Sequence, residues 1–318
     1  MSTDRVRIAL VGAGRMGRVH LGALRRSERI ELAAVVEPLA ATRRELAAGG
    51  LTVHADVDAL LAAGAVEGVL IAAPSDQHPE LVGRFAAERI PILCEKPLGV
   101  RAGDAREAAR QAQDGGVLLQ VGYWRRFVPE LRALRERIRA GELGTISQLT
   151  CLQWDAELPS EQFRAHSGGI AIDMGVHEFD QTRWLLGQEF RWLAATAAGP
   201  STRPRPPADP DSVTVLAQLS GQAAATISLG RHFPHQDSCW VEVWGSEGYE
   251  RVPFMWAAAG EEVFRTAMQA QAESFARAVR GAPVEGAGAA DAIAALEVAQ
   301  RAADALEARS GQAGTSHR

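Results

Sequence analysis

Short apolar runs alternate with longer alanine-rich stretches throughout the first 120 residues. The runs have the length and composition of buried strands, and the stretches between them carry apolar residues at helical spacing. The predicted strands cover residues 6–11, 31–36, 67–72, 91–94 and 117–121, with a shorter one near Val53. The predicted helices cover residues 15–26, 39–48, 56–63, 77–87 and 103–114. This alternation is typical of βα units, so we predict an α/β domain over residues 1–122, built on a doubly wound parallel sheet.

The pattern changes after Gly122. The predicted elements are helices near 129–140, near 173–186 and at 289–308, and strands at 146–154, 213–219, 223–231 and 239–244. Consecutive strands without helices between them favour antiparallel pairing, so we predict a C-terminal α+β domain over residues 123–308 with a large, mostly antiparallel open sheet. The proline-rich segment 200–212 is predicted to be a connecting loop, and residues 309–318 a disordered tail.

A glycine-rich turn joins the first predicted strand to the first predicted helix. Its glycines are Gly12, Gly14 and Gly17, with Arg15 and Met16 between the last two. Strand, turn and helix in this order let bare backbone approach a pyrophosphate, whose charge is bound by the N–H groups at the start of the helix. We therefore assign these five residues to a dinucleotide in a Rossmann domain, although glycine-rich turns also occur without a ligand.

The next apolar run ends in Glu37, twenty residues after Gly17. At this spacing the second strand of a Rossmann domain presents an acid to the adenosine ribose. A carboxylate accepts a hydrogen bond from a free 2′-hydroxyl and repels a 2′-phosphate. The sequence therefore predicts NAD as the cofactor, while Arg43 and Arg44 keep NADP open as an alternative.

Five further residues follow other strands of the predicted parallel sheet, at the edge where ligands bind. They are Ala73, Pro74, His78, Glu95 and Lys96, and we assign all five to the cofactor. Lys96 is also a candidate catalytic residue, because a lysine at this edge can stabilise a developing alkoxide on a substrate. A surface lysine in a tight turn is the alternative interpretation.

Asp173 and His177 stand four residues apart in the helix predicted near 173–186. On one helix face, a carboxylate can orient an imidazole and stabilise its charged form. Both are candidate catalytic residues, because such a pair suits proton transfer with a substrate hydroxyl. A buried helix with a core histidine is one alternative. Metal binding together with Glu178 is another, but no further ligands cluster nearby in the sequence and we predict no metal.

Five residues are candidates for contact with the substrate. Trp124 and Arg125 lie at the crossing between the predicted domains, Trp154 and Asp155 end one strand of the second domain, and His232 lies in a loop after another. A hinge arginine paired on the surface is the alternative for Arg125.

Composition narrows the classes of function. The 318 residues are 47% hydrophobic and 23% charged, and a net charge of −5 without a long basic run argues against nucleic-acid binding. No apolar stretch of roughly 18 residues suits a membrane span and no signal segment is visible, so we expect a cytoplasmic protein. Cys94, Cys151 and Cys239 are odd in number and far apart, so we predict buried core cysteines.

Five segments together carry a family resemblance. They are GAGRMGRVH at 12–20, AAPSDQHPEL at 72–81, CEKPLG at 94–99, GYWRRF at 122–127 and GGIAIDMGVHEFDQTRWLLG at 168–187. They resemble the glucose–fructose oxidoreductase, inositol dehydrogenase and MocA family (Gfo/Idh/MocA), most of all its myo-inositol 2-dehydrogenases and scyllo-inositol dehydrogenases. The resemblance covers nearly the full chain.

The resemblance implies roles for residues that the pattern alone leaves open. Lys96 would bind the nicotinamide ribose and the reacting hydroxyl, and His177 would be the general acid/base, supported by Asp173. It also implies a homodimer or homotetramer formed through the open face of the C-terminal sheet. Two departures concern the substrate: Trp124 replaces a smaller residue, and RHFPHQDS at 231–238 stands where a tyrosine-containing loop is expected.

We therefore expect an NAD-dependent oxidoreductase that reversibly oxidises a ring secondary hydroxyl of a cyclitol or pyranose sugar, an inositol-type polyol, to a ketone. One alternative is an NAD-dependent glycoside hydrolase of the same fold, which returns its nicotinamide oxidised. Another is a different sugar dehydrogenase or reductase of the family. A dinucleotide sensor without catalysis would need the glycine turn but has no use for Lys96, Asp173 and His177 together.

Overall fold

The computed structural model describes residues 5–64, 66–197, 209–255 and 259–313. The chain divides into two compact units. The first consists of Met1–Gly99, Gly103–Phe127 and Arg265–Ala290, and the second of Val100–Ala102, Val128–Phe264 and Asp291–Arg318. The predicted division at residue 122 lies close to the main crossing, but it does not anticipate the segment Arg265–Ala290, which returns to the first unit.

The first unit is the predicted series of βα units. Its strands up to residue 121 are β1 (Val6–Val11), β2 (Ile30–Val36), β3 (Val53–His54), β4 (Gly68–Ile71), β5 (Ile92–Cys94) and β6 (Leu119–Val121). Its helices in the same stretch are α1 (Arg15–Arg26), α2 (Ala40–Ala48), α3 (Val57–Ala63), α4 (His78–Ala87) and α5 (Ala102–Asp114). The six strands pair in parallel in the order β6-β5-β4-β1-β2-β3, which confirms the predicted parallel sheet. The chain reverses its winding beside β1, where doubly wound sheets bind ligands.

The second unit contains a six-stranded sheet within the described residues. Its strands are β7 (Ile146–Trp154), β8 (Phe190–Ala197), β9 (Ser212–Leu219), β10 (Ala224–Gly230), β11 (Ser238–Gly245) and β12 (Tyr249–Met255). Its helices before residue 190 are α6 (Pro129–Arg139), α7 (Glu161–His166), α8 (Ile170–Asp173) and α9 (Gly175–Leu186). The order is β12-β11-β7-β10-β9-β8, and every neighbouring pair is antiparallel except β7 and β10. The predicted mostly antiparallel sheet is confirmed.

Three elements complete the chain: α10 (Ala259–Val279), β13 (Ala287–Gly288) and α11 (Ala289–Ala313). Phe275 of α10 is fully buried and belongs to the core of the first unit, together with Ile8 and Leu10 of β1. A Cβ on Gly68 would lie 3.1 Å from the Phe275 ring, so glycine leaves room for the ring against β4. Strand β13 then pairs antiparallel with β6 at the edge of the parallel sheet.

Several elements differ from the sequence-based expectation. Strands β8 and β12 and helix α10 were not predicted. Strand β12 is an edge strand that contains Pro253, and a proline inside an apolar run weakens the strand signal. The predicted helix near 173–186 is divided at Met174 into α8 and α9. Helix α11 continues to Ala313, into the predicted disordered tail, while residues 314–318 lie outside the described residues. The predicted loop 200–212 ends in β9 at Ser212, and its residues 200–208 also lie outside them.

The three cysteines are buried free thiols, as predicted. Burial raises the pKa of the Cys94 thiol well above its ordinary value, which keeps it protonated and unreactive. No helix in the described part of the chain is long and apolar enough to cross a membrane.

Candidate active site

The glycine turn between β1 and α1 has the geometry that its pattern predicts. Gly12 has a φ of +93°, and a Cβ there would lie 2.7 Å from the carbonyl oxygen of Ala72. A Cβ on Gly17 would lie 2.1 Å from the carbonyl oxygen of Gly12. Both positions therefore require glycine, one for its backbone conformation and both for the close approach of neighbouring backbone.

The space around Gly14 differs from that around Gly12 and Gly17. A Cβ at this position would meet no protein atom within 4 Å, so no packing against the protein explains the missing side chain. Gly14 is exposed and directly precedes α1, whose first N–H groups have no acceptor within the helix. A side chain here would fill the space in front of those N–H groups, where a pyrophosphate binds in a Rossmann domain. The turn therefore fits a dinucleotide.

Glu37 follows β2 and is buried against the glycine turn. Its Oε2 accepts a hydrogen bond of 3.0 Å from the N–H of Ala13, and its Oε1 accepts one of 2.8 Å from the N–H of Leu39. The guanidinium of Arg43 donates to the carbonyl oxygens of Glu37 and Pro38. The structure thus brings Glu37, the predicted ribose acceptor, to the glycine turn. The Arg43 side chain is bound to the backbone that follows β2.

His78 connects the loops that follow β4 and β5. Its Nδ1 lies 2.7 Å from the carbonyl oxygen of Pro97, and its Nε2 lies 2.9 Å from that of Ala73. The ring is buried, and burial lowers its pKa despite the two carbonyl oxygens beside it. A neutral ring donates only one of these two hydrogen bonds. We infer that the His78 side chain holds these two loops together at the edge of the parallel sheet where ligands bind.

Glu95 and Lys96 follow β5. The Oε2 atom of Glu95 accepts a hydrogen bond of 3.0 Å from the N–H of Lys96, and its Oε1 lies 2.6 Å from Nε2 of His20 in α1. Burial opposes ionisation of Glu95, but the hydrogen bond and charge of His20 and the charge of Lys96 outweigh it and hold the pKa of Glu95 below its ordinary value. The carboxylate is therefore charged at neutral pH.

Lys96 is the only lysine in the sequence. Of the 34 lysine and arginine residues, the other 33 are arginine. An arginine remains charged in proteins and presents a rigid planar fork, whereas a lysine ammonium is a compact donor whose proton affinity responds to its surroundings. A chain that otherwise uses arginine thus places its single lysine at the edge of the sheet where a cofactor binds. The amino-acid composition therefore singles out Lys96 as a candidate functional residue, whereas the pattern of strands and helices does not.

In the second unit, Asp173 ends α8 and His177 lies in the first turn of α9. The division at Met174 means that they do not share one continuous helix, although the N–H of His177 still bonds to the carbonyl oxygen of Met174 at 3.1 Å. His177 is buried, and α9 packs closely on the sheet. A Cβ on Gly175 would lie 3.3 Å from Leu229 of β10.

A buried charge cluster that sequence reasoning missed adjoins Asp173. Arg231 follows β10, is 1% exposed, and places Nη2 3.0 Å from Oδ1 of Asp209 and 3.9 Å from Oδ2 of Asp173. Asp209 is held in turn by the N–H of Ile170 at 2.9 Å and by Nε of Arg164 at 2.7 Å. The guanidinium therefore presents a fixed positive charge to Asp173.

The predicted substrate residues of the second unit are brought together in part. The parallel pair β7 and β10 sets Trp154 beside Gly230, and the N–H of Asp155 donates to the carbonyl oxygen of Gly230 at 2.9 Å. Asp155 then accepts from the N–H of Phe233, the neighbour of the exposed His232. In the first unit, Trp124 and Arg125 are both buried, with the guanidinium 5.9 Å from the indole centroid, so Arg125 is not a surface hinge residue.

Among the described residues, no group of three or more histidine, cysteine or acidic side chains could hold a metal ion.

Family models match both parts of the chain. Residues 6–123 match the oxidoreductase family with an NAD-binding Rossmann fold, Gfo/Idh/MocA, and residues 131–250 match the Gfo/Idh/MocA C-terminal domain. The chain belongs to this family. As a member of Gfo/Idh/MocA, it is an oxidoreductase whose Rossmann domain binds NAD.

Two sequence relatives and one solved structure are similar to the chain over about three quarters of its length or more. The rhizopine catabolism protein MocA of Rhizobium meliloti is 48% identical over 302 residues, which cover 95% of each chain. An inositol 2-dehydrogenase of Rhizobium meliloti strain 1021 is 36% identical over 245 residues, 76% of this chain and 74% of that protein. The solved structure of GenD2 from gentamicin A biosynthesis in complex with NAD has a TM-score of 0.87 and 25% identity, covering 95% of this chain and 94% of that chain.

Proposed function

We propose that this protein is an NAD-dependent dehydrogenase that reversibly oxidises a ring secondary hydroxyl of a cyclitol or pyranose sugar to a ketone. The observation that carries the proposal is the position of Lys96. The only lysine of the chain follows β5, and the glycine turn follows β1 in the same parallel sheet. The similarity to an inositol 2-dehydrogenase favours inositol-type polyols, and the similarity to a rhizopine catabolism protein keeps related ring compounds in the substrate class.

Each residue has a separate task in this reaction. Bound NAD supplies the acceptor for the hydride that leaves the hydroxyl-bearing carbon. His177 takes the hydroxyl proton, because an imidazole can exchange a proton near neutral pH. Asp173, whose carboxylate lies 3.9 Å from the Arg231 guanidinium, supports the imidazolium that results. The Lys96 ammonium donates to the reacting oxygen and stabilises the negative charge that develops on it.

The backbone and side chains around the glycine turn would hold the cofactor. Gly12, Gly14 and Gly17 admit the pyrophosphate to the start of α1, and Glu37 accepts from a ribose hydroxyl with lone pairs that its two backbone contacts leave available. The negative charge of Glu37 disfavours the additional phosphate of NADP, so the proposed cofactor preference is NAD.

A substrate panel tests the proposal. Purified protein is incubated with NAD, and in parallel with NADP, in the presence of myo-inositol, scyllo-inositol, D-glucose or L-glucose, and reduced cofactor is followed by fluorescence. We expect NADH formation with at least one cyclitol or sugar. A separate incubation with NAD and a glycoside tests the alternative, because release of free sugar without accumulation of NADH would instead support an NAD-dependent hydrolase.

Two substitutions then connect turnover to the proposed residues. Lys96→Arg keeps the charge but replaces the compact donor, and we expect kcat to fall by about 100-fold. His177→Ala removes the proton acceptor, and we expect a loss of ~10²–10⁴-fold in kcat with NAD binding retained. Arg110→Lys makes the reverse exchange at an exposed position and serves as the control. Full turnover in His177→Ala would overturn the assigned mechanism.

A further inference from the structure

His20 and Glu95 form a buried pair, and Glu95 directly precedes Lys96 in the chain. His20 is 1% exposed, Glu95 is 6% exposed, and their Nε2 and Oε1 atoms are 2.6 Å apart. The two residues are 75 positions apart in the chain. Their contact joins α1, which starts at the glycine turn, to the segment that follows β5.

The second carboxylate oxygen of Glu95 contacts the backbone of Lys96. Oε2 accepts from the Lys96 N–H at 3.0 Å, so one carboxylate is bonded to α1 through one oxygen and to Lys96 through the other. Gly122 closes a further side of the carboxylate, since a Cβ there would lie 3.0 Å from its Cδ and Oε1 atoms. The Glu95 side chain therefore has little freedom to take another position.

The energetics make this arrangement sensitive to loss of either partner. Removing the hydrogen-bond partner of a buried carboxylate leaves its charge without compensation, which costs more than loss of an exposed contact. Without His20, the Glu95 carboxylate must rearrange or take up a proton. Either change alters the acceptor and the charge presented to Lys96.

We propose that His20 and Glu95 are positioning residues that fix Lys96 relative to the glycine turn. Neither side chain needs to touch the cofactor or the substrate for this role. The catalytic consequence rests on the proposed function of Lys96, whereas the structural consequence can be measured without any turnover.

The single lysine makes a direct measurement practicable. Protein produced with lysine labelled with ¹³C at Cε gives one side-chain resonance, that of Lys96. We expect His20→Ala to shift this resonance and to change its response to added NAD, while His20→Gln, whose amide can still donate to Glu95, restores much of the wild-type spectrum. Glu95→Gln keeps an oxygen acceptor for the Lys96 N–H but removes the charge, and should also shift the resonance. Glu45→Gln, which disturbs an exposed carboxylate bound to α1 through Arg18, is the matched control.

Kinetics with the substrate found in the panel supply the second readout. We expect His20→Ala to lower kcat by ~10–100-fold with a smaller change in the KM for NAD, as misplacement of a reacting group does. An unchanged Lys96 resonance in folded His20→Ala would overturn the proposal. If that variant does not fold, an unchanged resonance in Glu95→Gln decides against it in the same way. Failure of the proposed dehydrogenase activity would appear separately, as absence of turnover in the wild-type protein.

Discussion

The carboxylate of Glu37 accepts a hydrogen bond of 3.0 Å from the backbone N–H of Ala13. This contact ties the end of β2 to the turn between β1 and α1. The sequence predicts that Glu37 selects the cofactor, and the structure adds that the same carboxylate holds the turn to which we assign the pyrophosphate.

Substitution of Glu37 should therefore weaken NAD binding without creating a preference for NADP. Glu37→Gln keeps an acceptor for Ala13 but loses the charge, and a charge-assisted hydrogen bond is worth about 1.5–3 kcal/mol, so we expect the Kd for NAD to rise by at least ~10-fold. Glu37→Ala should lose more. Calorimetric titration with NAD and NADP measures both effects. Tighter NADP binding in Glu37→Ala with unchanged NAD affinity would show that Glu37 acts only as a selector.

Arg231 provides a prediction for the second unit. Because its buried guanidinium lies beside Asp209 and Asp173, Arg231→Met should leave Asp173 without this cation and Asp209 with Arg164 alone. We expect the free energy of unfolding to fall by ~3 kcal/mol, at the lower end of the cost of breaking a buried ion pair. Arg231→Lys should lose less, since it keeps the charge. Urea-induced unfolding measures the difference.

The control for Arg231 is Arg139→Met in α6, which removes an exposed ion pair with Glu136 and should cost at most about 1 kcal/mol. Equal stability losses in the two variants would contradict a special role for the buried cluster. A lower kcat in Arg231→Lys, under conditions where the variant is fully folded, would indicate that the guanidinium also acts on Asp173 during turnover.

His78 makes the stability of the protein depend on pH in a defined window. Burial lowers the pKa of His78, so below the ordinary histidine value near ~6.5 the unfolded chain binds a proton that the folded chain binds less readily. The contribution of His78 to the free energy of unfolding is therefore fully present above this pH. It decreases as the pH falls, by up to about 1.4 kcal/mol per pH unit for one proton.

We expect His78→Gln to be less stable than the wild type at pH 7.5, since it loses contacts with Ala73 and Pro97, but to have a shallower pH dependence between roughly 6.5 and 5.5. Urea unfolding at several pH values measures the two slopes. The lowered pKa of Glu95 affects stability only at more acidic pH, so it does not interfere in this range. Identical slopes would show that His78 is not the titrating group.

The open face of the second sheet is the proposed oligomer interface. Trp192 is 52% exposed and Leu216 is 49% exposed, and the strand register places Leu216 opposite Ala194 and Thr226 on one face. Exposed apolar side chains on a wide sheet favour association with a second copy of the chain. Leu216→Asp should therefore shift the protein toward monomer in size-exclusion chromatography with light scattering. Val284→Asp, at an exposed position of the first unit, should not. A wild-type protein that is already monomeric would contradict the proposed interface.

Much of the first unit could be predicted from the sequence because its signals are local. The strand and helix of the first βα unit, with Gly12 between them, depend on apolar periodicity and on a backbone conformation that only glycine adopts easily. Helix α10 was not predicted, and its place in the first core depends on Phe275 packing against Gly68, a contact that no local pattern reveals.

The candidate site shows the same division. The spacing of the glycines and of Glu37 along the chain is enough to indicate a dinucleotide, whereas contact of Lys96 with a reacting hydroxyl stays a prediction. The sequence predicts that Asp173 and His177 lie on one face of one helix, but that helix is divided at Met174, because tertiary packing can interrupt a helix whose local pattern is continuous.

The sequence by itself determined the alternation of strands and helices, the phosphate-binding turn and the identity of the single lysine. Only the tertiary structure decided which side chains and backbone groups meet in the interior. His20 lies against Glu95, the N–H of Ala13 donates to Glu37, and Asp209 and Asp173 lie beside Arg231. Periodicity and glycine chemistry act over a few residues, whereas burial of a charge is stable only when distant segments supply its partner, and that supply is settled by how the whole chain folds.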